Sequence, residues 1–440
     1  MTDTSSSFTV VGAGLAGSLM ALMLGREGHD VDVYERRPDP RLAGAEAGRS
    51  INLAISARGL HALEQVGLKD DILAMGVPMR GRMVHDPSGR LSFQPYGSGD
   101  QAINSVSRGG LNQVLLNAAG QCLSVRMHFG LRCTDLDVES GRLELTASDG
   151  KVQQVETTTI IGADGAFSAV RSQMQKRELF NYSQNYLAHG YKELYIPPRP
   201  GGGFQMDPNA LHIWPRGGFM MIALPNQDGS FTCTLFWAFE GANSFANLRG
   251  PDDVLRFFQE TYPDAVPLMP TLGHDFFANP TGSLVTVRCS PWHVRDRVVL
   301  LGDAAHAIVP FYGQGANAAF EDCVTLAQCL KQNPGTHLAA FERYEDARKP
   351  SADAIGELAL GNFIEMRDRV SSPLFRFKKK VEKALHALFP RSFIPLYTMV
   401  SFTTIPYAEA VDRAARQDRI LKWCAGLLLA TIVVLGILIW

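Results

Sequence analysis

Apolar and polar positions recur along the chain in two rhythms. Residues 8–12 (FTVVG) form a short apolar run that reads as a strand, 15–26 carry the Leu, Ala and Met density of a helix, and 30–35 (DVDVYE) alternate with period two. Together they predict a βαβ unit. Between 82 and 106 the pattern breaks into short runs interrupted by Pro87, Gly89, Pro95, Gly97 and Gly99, which predicts an excursion into a different sheet. Helical spacing returns at Arg108 to Ala119, and strands are predicted at 125–133, 142–148 and 155–161.

A long β-rich stretch follows from Tyr186 to Val287, with one helix near 252–262. The apolar strand RVVLLGD (297–303) then leads back to small and apolar residues up to Leu330. These rhythms predict an α/β fold. A Rossmann-like nucleotide-binding domain is expected from 1–81, 107–185 and 288–337, with a β-sheet substrate domain interleaved from 82–106 and 186–287. A helical C-terminal region at 338–420 and an apolar tail helix at 421–440 complete the expectation.

Composition narrows the function. With 440 residues, 46% apolar, 20% charged and a net charge of −2, the chain is globular and lacks the basic excess that nucleic acid binding requires. Its 7 cysteines are scattered without a C-x-x-C pair, and its 11 histidines never take metal-ligand spacing, so neither a disulfide frame nor a metal site is expected. The last seventeen residues, Cys424 to Trp440, carry no charge and follow Arg413, Arg416, Arg419 and Lys422. As a helix they span about 26 Å, slightly less than a bilayer core. Anchoring to the cytoplasmic side of a membrane is one reading, and a buried core helix is the other.

The first chemical motif is Gly12-Ala13-Gly14-Leu15-Ala16-Gly17, between a strand and a helix, with Glu35 ending the next strand. Such glycines let a pyrophosphate approach a helix N-terminus, and the acid can accept ribose hydroxyls. Two later segments bear on which dinucleotide binds: IIGADGAFSAVR (160–171) and VLLGDAAHAIVPFYGQGANAAFEDC (299–323). This arrangement resembles the flavoprotein aromatic hydroxylases. The resemblance implies bound FAD, with Asp303 on the ribityl chain and Pro310 to Asn317 beside the flavin ring. Taken alone, Asp303 reads equally as a helix N-cap. No second GxGxxG exists for a nicotinamide domain, in keeping with a transient visit by NADPH.

Further segments, among them PMRGRMVH (78–85), QPYG (94–97), LHIWPR (211–216), GNFIEMRDRV (361–370) and FIPLYTMVSF (393–402), are similar to the branch of that family that acts on kynurenine. This resemblance runs from about residue 8 to residue 420. It implies a monooxygenase of tryptophan catabolism that converts L-kynurenine to 3-hydroxy-L-kynurenine with NADPH and dioxygen, through a flavin hydroperoxide. It further implies that Arg82, Tyr96, Asn362 and Tyr397 hold the substrate carboxylate. Gly12, Gly14, Ala16, Gly17, Tyr34, Glu35, Arg36, Arg37, Ala54, Arg108, Cys133, Asp303 and the backbone of Ala316 and Asn317 are expected around the flavin. Gln314 is expected to touch the flavin or the hydroperoxide, and His306 in the same segment reads as structural. An arginine suits a carboxylate because its planar fork binds both oxygens. On the residues alone, the tyrosines read as core.

Two other readings stay open. A membrane-associated flavin hydroxylase of a quinone or isoprenoid would need no carboxylate-binding arginine. A flavin-free prenyl-GTPase chaperone of the same fold would not need the segment LLGDAAHAIVPFYGQGAN.

Overall fold

The computed structural model of the chain describes residues 6–42, 52–97, 101–365 and 373–439. Ser7–Val11 pairs in parallel with Asp30–Glu35 on one side and Thr159–Gly162 on the other. Val10, Val31, Val33, Ile160 and Ile161 are fully buried because helices cover both faces of these strands, which explains their nearly continuous apolar character. Val125–Phe129 and Val298–Leu300 extend the sheet in parallel, and the two-residue strand His293–Val294 closes it as an antiparallel edge, giving six strands in all. The helix Leu15–Arg26 begins and ends where its apolar run does.

A second sheet has seven strands, in the order Thr281–Ser290, Asn181–Ile196, Phe231–Ala238, Met220–Pro225, Ala210–Pro215, Gly81–His85 and Leu91–Pro95. Neighbours are antiparallel except where Gly81–His85 runs parallel to Ala210–Pro215. Ile103–Ser107, grouped by its alternation with the 82–106 excursion, pairs instead with Asn52–Ile55 and Val77–Met79 in a three-stranded sheet. Period-two alternation identifies a strand but not its partner, and here the register joins Asn52 to Ser107 across the intervening helices and strands of 57–95.

One face of the large sheet packs Trp214, Phe231 and Trp237 against Phe258 and Tyr262. The other turns Ile213, Met220 and Phe236 toward Phe311 and Phe363. The segment Pro310–Tyr312 and the helix His337–Ile364 therefore sit between the sheet and the nucleotide-binding layer. Near the C-terminus come Leu396–Phe402 and a last helix, Tyr407–Ile439. Among the described residues no helix is long and apolar enough to cross a membrane. Side chains at 425, at 428–430 and from 432 onward in the expected tail, and residues 366–370 of the GNFIEMRDRV segment, lie outside those described.

Candidate active site

Gly12 adopts φ +103°, and a Cβ there would stand 2.5 Å from the Ala163 carbonyl oxygen. Gly14 leaves open space at the N-terminus of the helix Leu15–Arg26, where backbone N–H groups and the helix dipole favour an anion. Gly17 does not reach that space. A Cβ on it would lie 1.9 Å from the Gly12 carbonyl oxygen, so it allows the helix to pack against the turn. Glu35 Oε2 accepts a hydrogen bond from the Ala13 N–H at 2.9 Å, and Oε1 accepts from Arg37 Nε at 3.1 Å. The acid expected to meet a ribose thus also shapes the glycine turn.

A cavity of about 360 Å³ runs from this turn to the inner face of the large sheet. Of the residues singled out from sequence, Gly12, Gly14, Ala16, Tyr34, Glu35, Arg36, Arg37, Ala54, Arg108, Cys133, Asp303 and Ala316 line it, together with Arg82, Tyr96 and Tyr397. Burial pushes the Cys133 thiol up to about 12, so it stays a protonated packing group.

Asp303 follows Gly302, itself at φ +60°, and opens the short helix Asp303–His306. Its carboxylate is open to the cavity, and no described residue hydrogen-bonds to it. Burial raises its pKa, opposed by the charges of Arg108 and His306. An unpartnered carboxylate can accept from a polyol chain, while the helix N-terminus and Arg108 suit a pyrophosphate. The residues present therefore fit FAD. Behind Asp303, His306 Nε2 lies 2.5 Å from Asp322 Oδ2, and Arg348 Nε donates to Asp322 Oδ1 at 2.7 Å. His306 is fully engaged there.

At the far end of the cavity stands Arg82. Its guanidinium carbon lies 4.9 Å from the Tyr397 ring centroid and 5.7 Å from that of Tyr96, and the two tyrosine rings stack at 5.2 Å. Burial works against the charge of Arg82, but the oxygens of Tyr397, Tyr96 and Glu365 outweigh it and hold its pKa above the ordinary range. Nε has no hydrogen-bond partner, and no described carboxylate forms an ion pair with the group. A guanidinium set against two phenol rings, with a buried and unpaired Nε, offers charge-assisted donors to an anionic group.

The side chains of Gln314, Asn317 and Asn362 are engaged away from the cavity, although for Asn317 it is the backbone that was expected beside the flavin. Gln314 Oε1 accepts from Tyr407 Oη at 2.9 Å, and the residue does not line the cavity. Asn317 Nδ2 donates to the carbonyls of Ala54 and Gly313, and its Oδ1 accepts from the N–H groups of Ser56 and Gly59. Asn362 Nδ2 donates to the Phe311 carbonyl at 2.6 Å, behind the cavity wall. In each case a buried amide has found backbone or hydroxyl partners that the fold alone supplies.

Other lining residues escaped the sequence reading. Leu211, Ile222, Leu224, Thr234 and Phe236 form the wall of the sheet, and Tyr312 faces Tyr397 with ring centroids 5.7 Å apart. The wall was foreshadowed by alternation, since 222 with 224 and 234 with 236 are period-two pairs. Asp164 also lines the cavity, with Oδ2 accepting from the Ala169 N–H at 2.7 Å and Oδ1 unpartnered.

Comparison with known proteins agrees with this geometry. The signature of the family described as FAD binding domain matches residues 5–359. A kynurenine 3-monooxygenase of Myxococcus xanthus is 52% identical, over 94% of this chain and 89% of its own. One from Sus scrofa is 45% identical, over 95% of this chain and 88% of its own. Among solved structures, 2-methyl-3-hydroxypyridine-5-carboxylic acid oxygenase superposes with a TM-score of 0.68 at 21% identity, covering 84% of this chain and 94% of that one, which speaks for the fold. With FAD-fitting residues at one end of the cavity and Arg82 against two tyrosines at the other, the chain belongs to the kynurenine 3-monooxygenase family of FAD-binding proteins.

Proposed function

We propose that this chain hydroxylates L-kynurenine to 3-hydroxy-L-kynurenine with NADPH and dioxygen, and that Arg82, Tyr96 and Tyr397 hold the amino-acid carboxylate. The observation that carries this reading is the half-buried Arg82, its Nε buried and unpartnered and its guanidinium flanked by two tyrosines, in the cavity that also holds Asp303. FAD, when bound, would supply the redox chemistry: a hydride acceptor for NADPH and a means of activating dioxygen toward an electron-rich ring. The protein's share is placement. Arg82 offers a planar fork to the carboxylate, the tyrosine hydroxyls complete the grip, and Ile222, Leu224 and Phe236 keep water from the aromatic ring. Asp303 and Arg108 fix the cofactor at its polyol and pyrophosphate. The substrate's own aromatic amine activates the ortho carbon, so no side chain has to remove a proton to begin the reaction. The quinone and chaperone readings lose support, because neither needs an arginine set against two tyrosines in the cavity.

The test is oxidation of NADPH by the FAD-loaded protein with and without L-kynurenine, with the product identified by mass. A substrate-dependent rate and the gain of one oxygen atom are expected. Equal rates without substrate would overturn the assignment.

The reading extends to the C-terminal segment, which we place at a membrane surface. Its support is the uncharged run Cys424 to Trp440 and the exposure of Trp423 and Leu427 at its start.

A further inference from the structure

Tyr397 belongs to the seven-residue helix Leu396–Phe402, far along the chain from the sheet that carries Arg82 and Tyr96. The last four carbonyls of any helix have no intrahelical partner, so so short a helix needs outside donors to hold its shape and place. Arg58 supplies them. It projects from Ala57–Gln65, in the nucleotide-binding half of the molecule, and its side chain is fully buried. Nε donates to the Val400 carbonyl at 2.8 Å and Nη2 to the Met399 carbonyl at 3.2 Å. Nη2 also donates to the Ile405 carbonyl, just beyond the helix. The guanidinium carbon lies 3.9 Å from the centroid of Tyr407, the first residue of the last helix.

The charge is matched from a third direction. Arg58 Nη1 donates to Glu321 Oε1 at 2.6 Å, and Glu321 Oε2 accepts from Arg348 at 3.1 Å. Each direction of the fork is therefore committed, to the helix carbonyls on one side and to a carboxylate on the other. A lysine, as a point charge without the planar fork, would keep the charge but not the grip.

We propose that Arg58 is a positioning residue for substrate binding: by holding the C-terminal carbonyls of Leu396–Phe402 it sets Tyr397 over Arg82. The carboxylate grip is then completed by a residue of the nucleotide-binding half that touches neither substrate nor cofactor. This rests on the reading of Arg82, Tyr96 and Tyr397 as the carboxylate site.

The experiment compares L-kynurenine with kynuramine, which lacks the carboxylate, in the full-length FAD-loaded enzyme. Arg58→Met is expected to raise KM for L-kynurenine about tenfold while leaving KM for kynuramine within about twofold and FAD content unchanged. Arg58→Lys is expected to fall between wild type and Arg58→Met. Arg82→Ala serves as the reference for carboxylate loss. If Arg82→Ala discriminates between the two substrates and Arg58→Met does not, the positioning role is overturned and the carboxylate reading stands. If Arg82→Ala itself treats both substrates alike, the carboxylate reading fails and the proposal falls with it. Should Arg58→Met not retain FAD, Arg58→Lys carries the comparison, and loss of FAD there too would assign Arg58 to the fold at large and overturn the proposal.

Discussion

His85 Nε2 lies 2.8 Å from Nδ1 of His212, on the face of the large sheet turned away from the cavity. His212 Nε2 meets the Asp207 carbonyl at 2.9 Å, which obliges that nitrogen to carry a proton. Burial pushes the His212 pKa down to about 4, so at neutral pH its Nδ1 is an acceptor and His85 Nε2 donates to it. Asp264 Oδ2, 2.6 Å from His85 Nδ1, closes the chain and also accepts from Trp214 Nε1. Two histidines and an acid thus brace the strand from which Arg82 projects.

The brace predicts a pH dependence of stability. An unfolded chain protonates His212 near pH 6.5, but the folded chain does so only near pH 4, so the unfolded state binds more protons in between. Stability is therefore lost as pH falls through that window, by about 3 kcal/mol in all from this group. Thermal unfolding of wild type and His212→Gln between those limits checks it. The variant is expected to show a shallower loss, and parallel curves would remove His212 as the cause.

Removing the Arg82 cation tests the substrate site directly. Arg82→Ala is expected to raise KM for L-kynurenine by about 30- to 100-fold, the scale of one charge-assisted hydrogen-bonded contact, with FAD content preserved. Steady-state kinetics and the flavin absorbance of the same preparation measure both. An unchanged KM would take Arg82 out of the site.

Asp303 is predicted to act on the cofactor. Asp303→Ala, which leaves the polyol without its acceptor, is expected to weaken FAD binding by about 10- to 100-fold, and Asp303→Asn, which keeps a carbonyl oxygen, by less. Titration of the apoprotein with FAD, followed by flavin fluorescence, distinguishes the two. Equal affinity in both variants and wild type would mean that the carboxylate faces water.

Deleting 423–440 is expected to release the protein from membranes while FAD content and turnover persist. Co-sedimentation with vesicles, with flavin measured in each fraction, reads both at once. Loss of flavin on deletion would instead make the segment part of the core.

The nucleotide half of this fold is legible because its signals are local. Gly12, Gly14 and Glu35 fall within one βαβ unit, and their spacing alone specifies a turn at a helix N-terminus. Arg82, Tyr96 and Tyr397 converge in the cavity from three separate segments, which no periodicity announces, and only the family resemblance grouped them. The same limit explains why the partners of three amide side chains could not be read from the sequence. Gln314 lies in a stretch whose composition suggests the flavin, but its partner Tyr407 stands 93 residues on. Asn317 is claimed by the Ala54 carbonyl, 263 residues back. Arg58 was passed over for the same reason: within Ala57–Gln65 it looks like an ordinary helix-surface charge until the distant carbonyls are present.

The contact between Arg58 and Val400 spans 342 residues of chain. During synthesis the nucleotide-binding turn and Arg58 are among the first segments made, whereas the helix that brings Tyr397 comes in the final tenth. A growing chain can thus lay down its first strands and helix long before the substrate grip exists. The order of translation makes Tyr397 the last part of the grip to arrive, after Arg82, Tyr96 and Asp303, so that substrate recognition belongs to the finished polypeptide and to no earlier fragment.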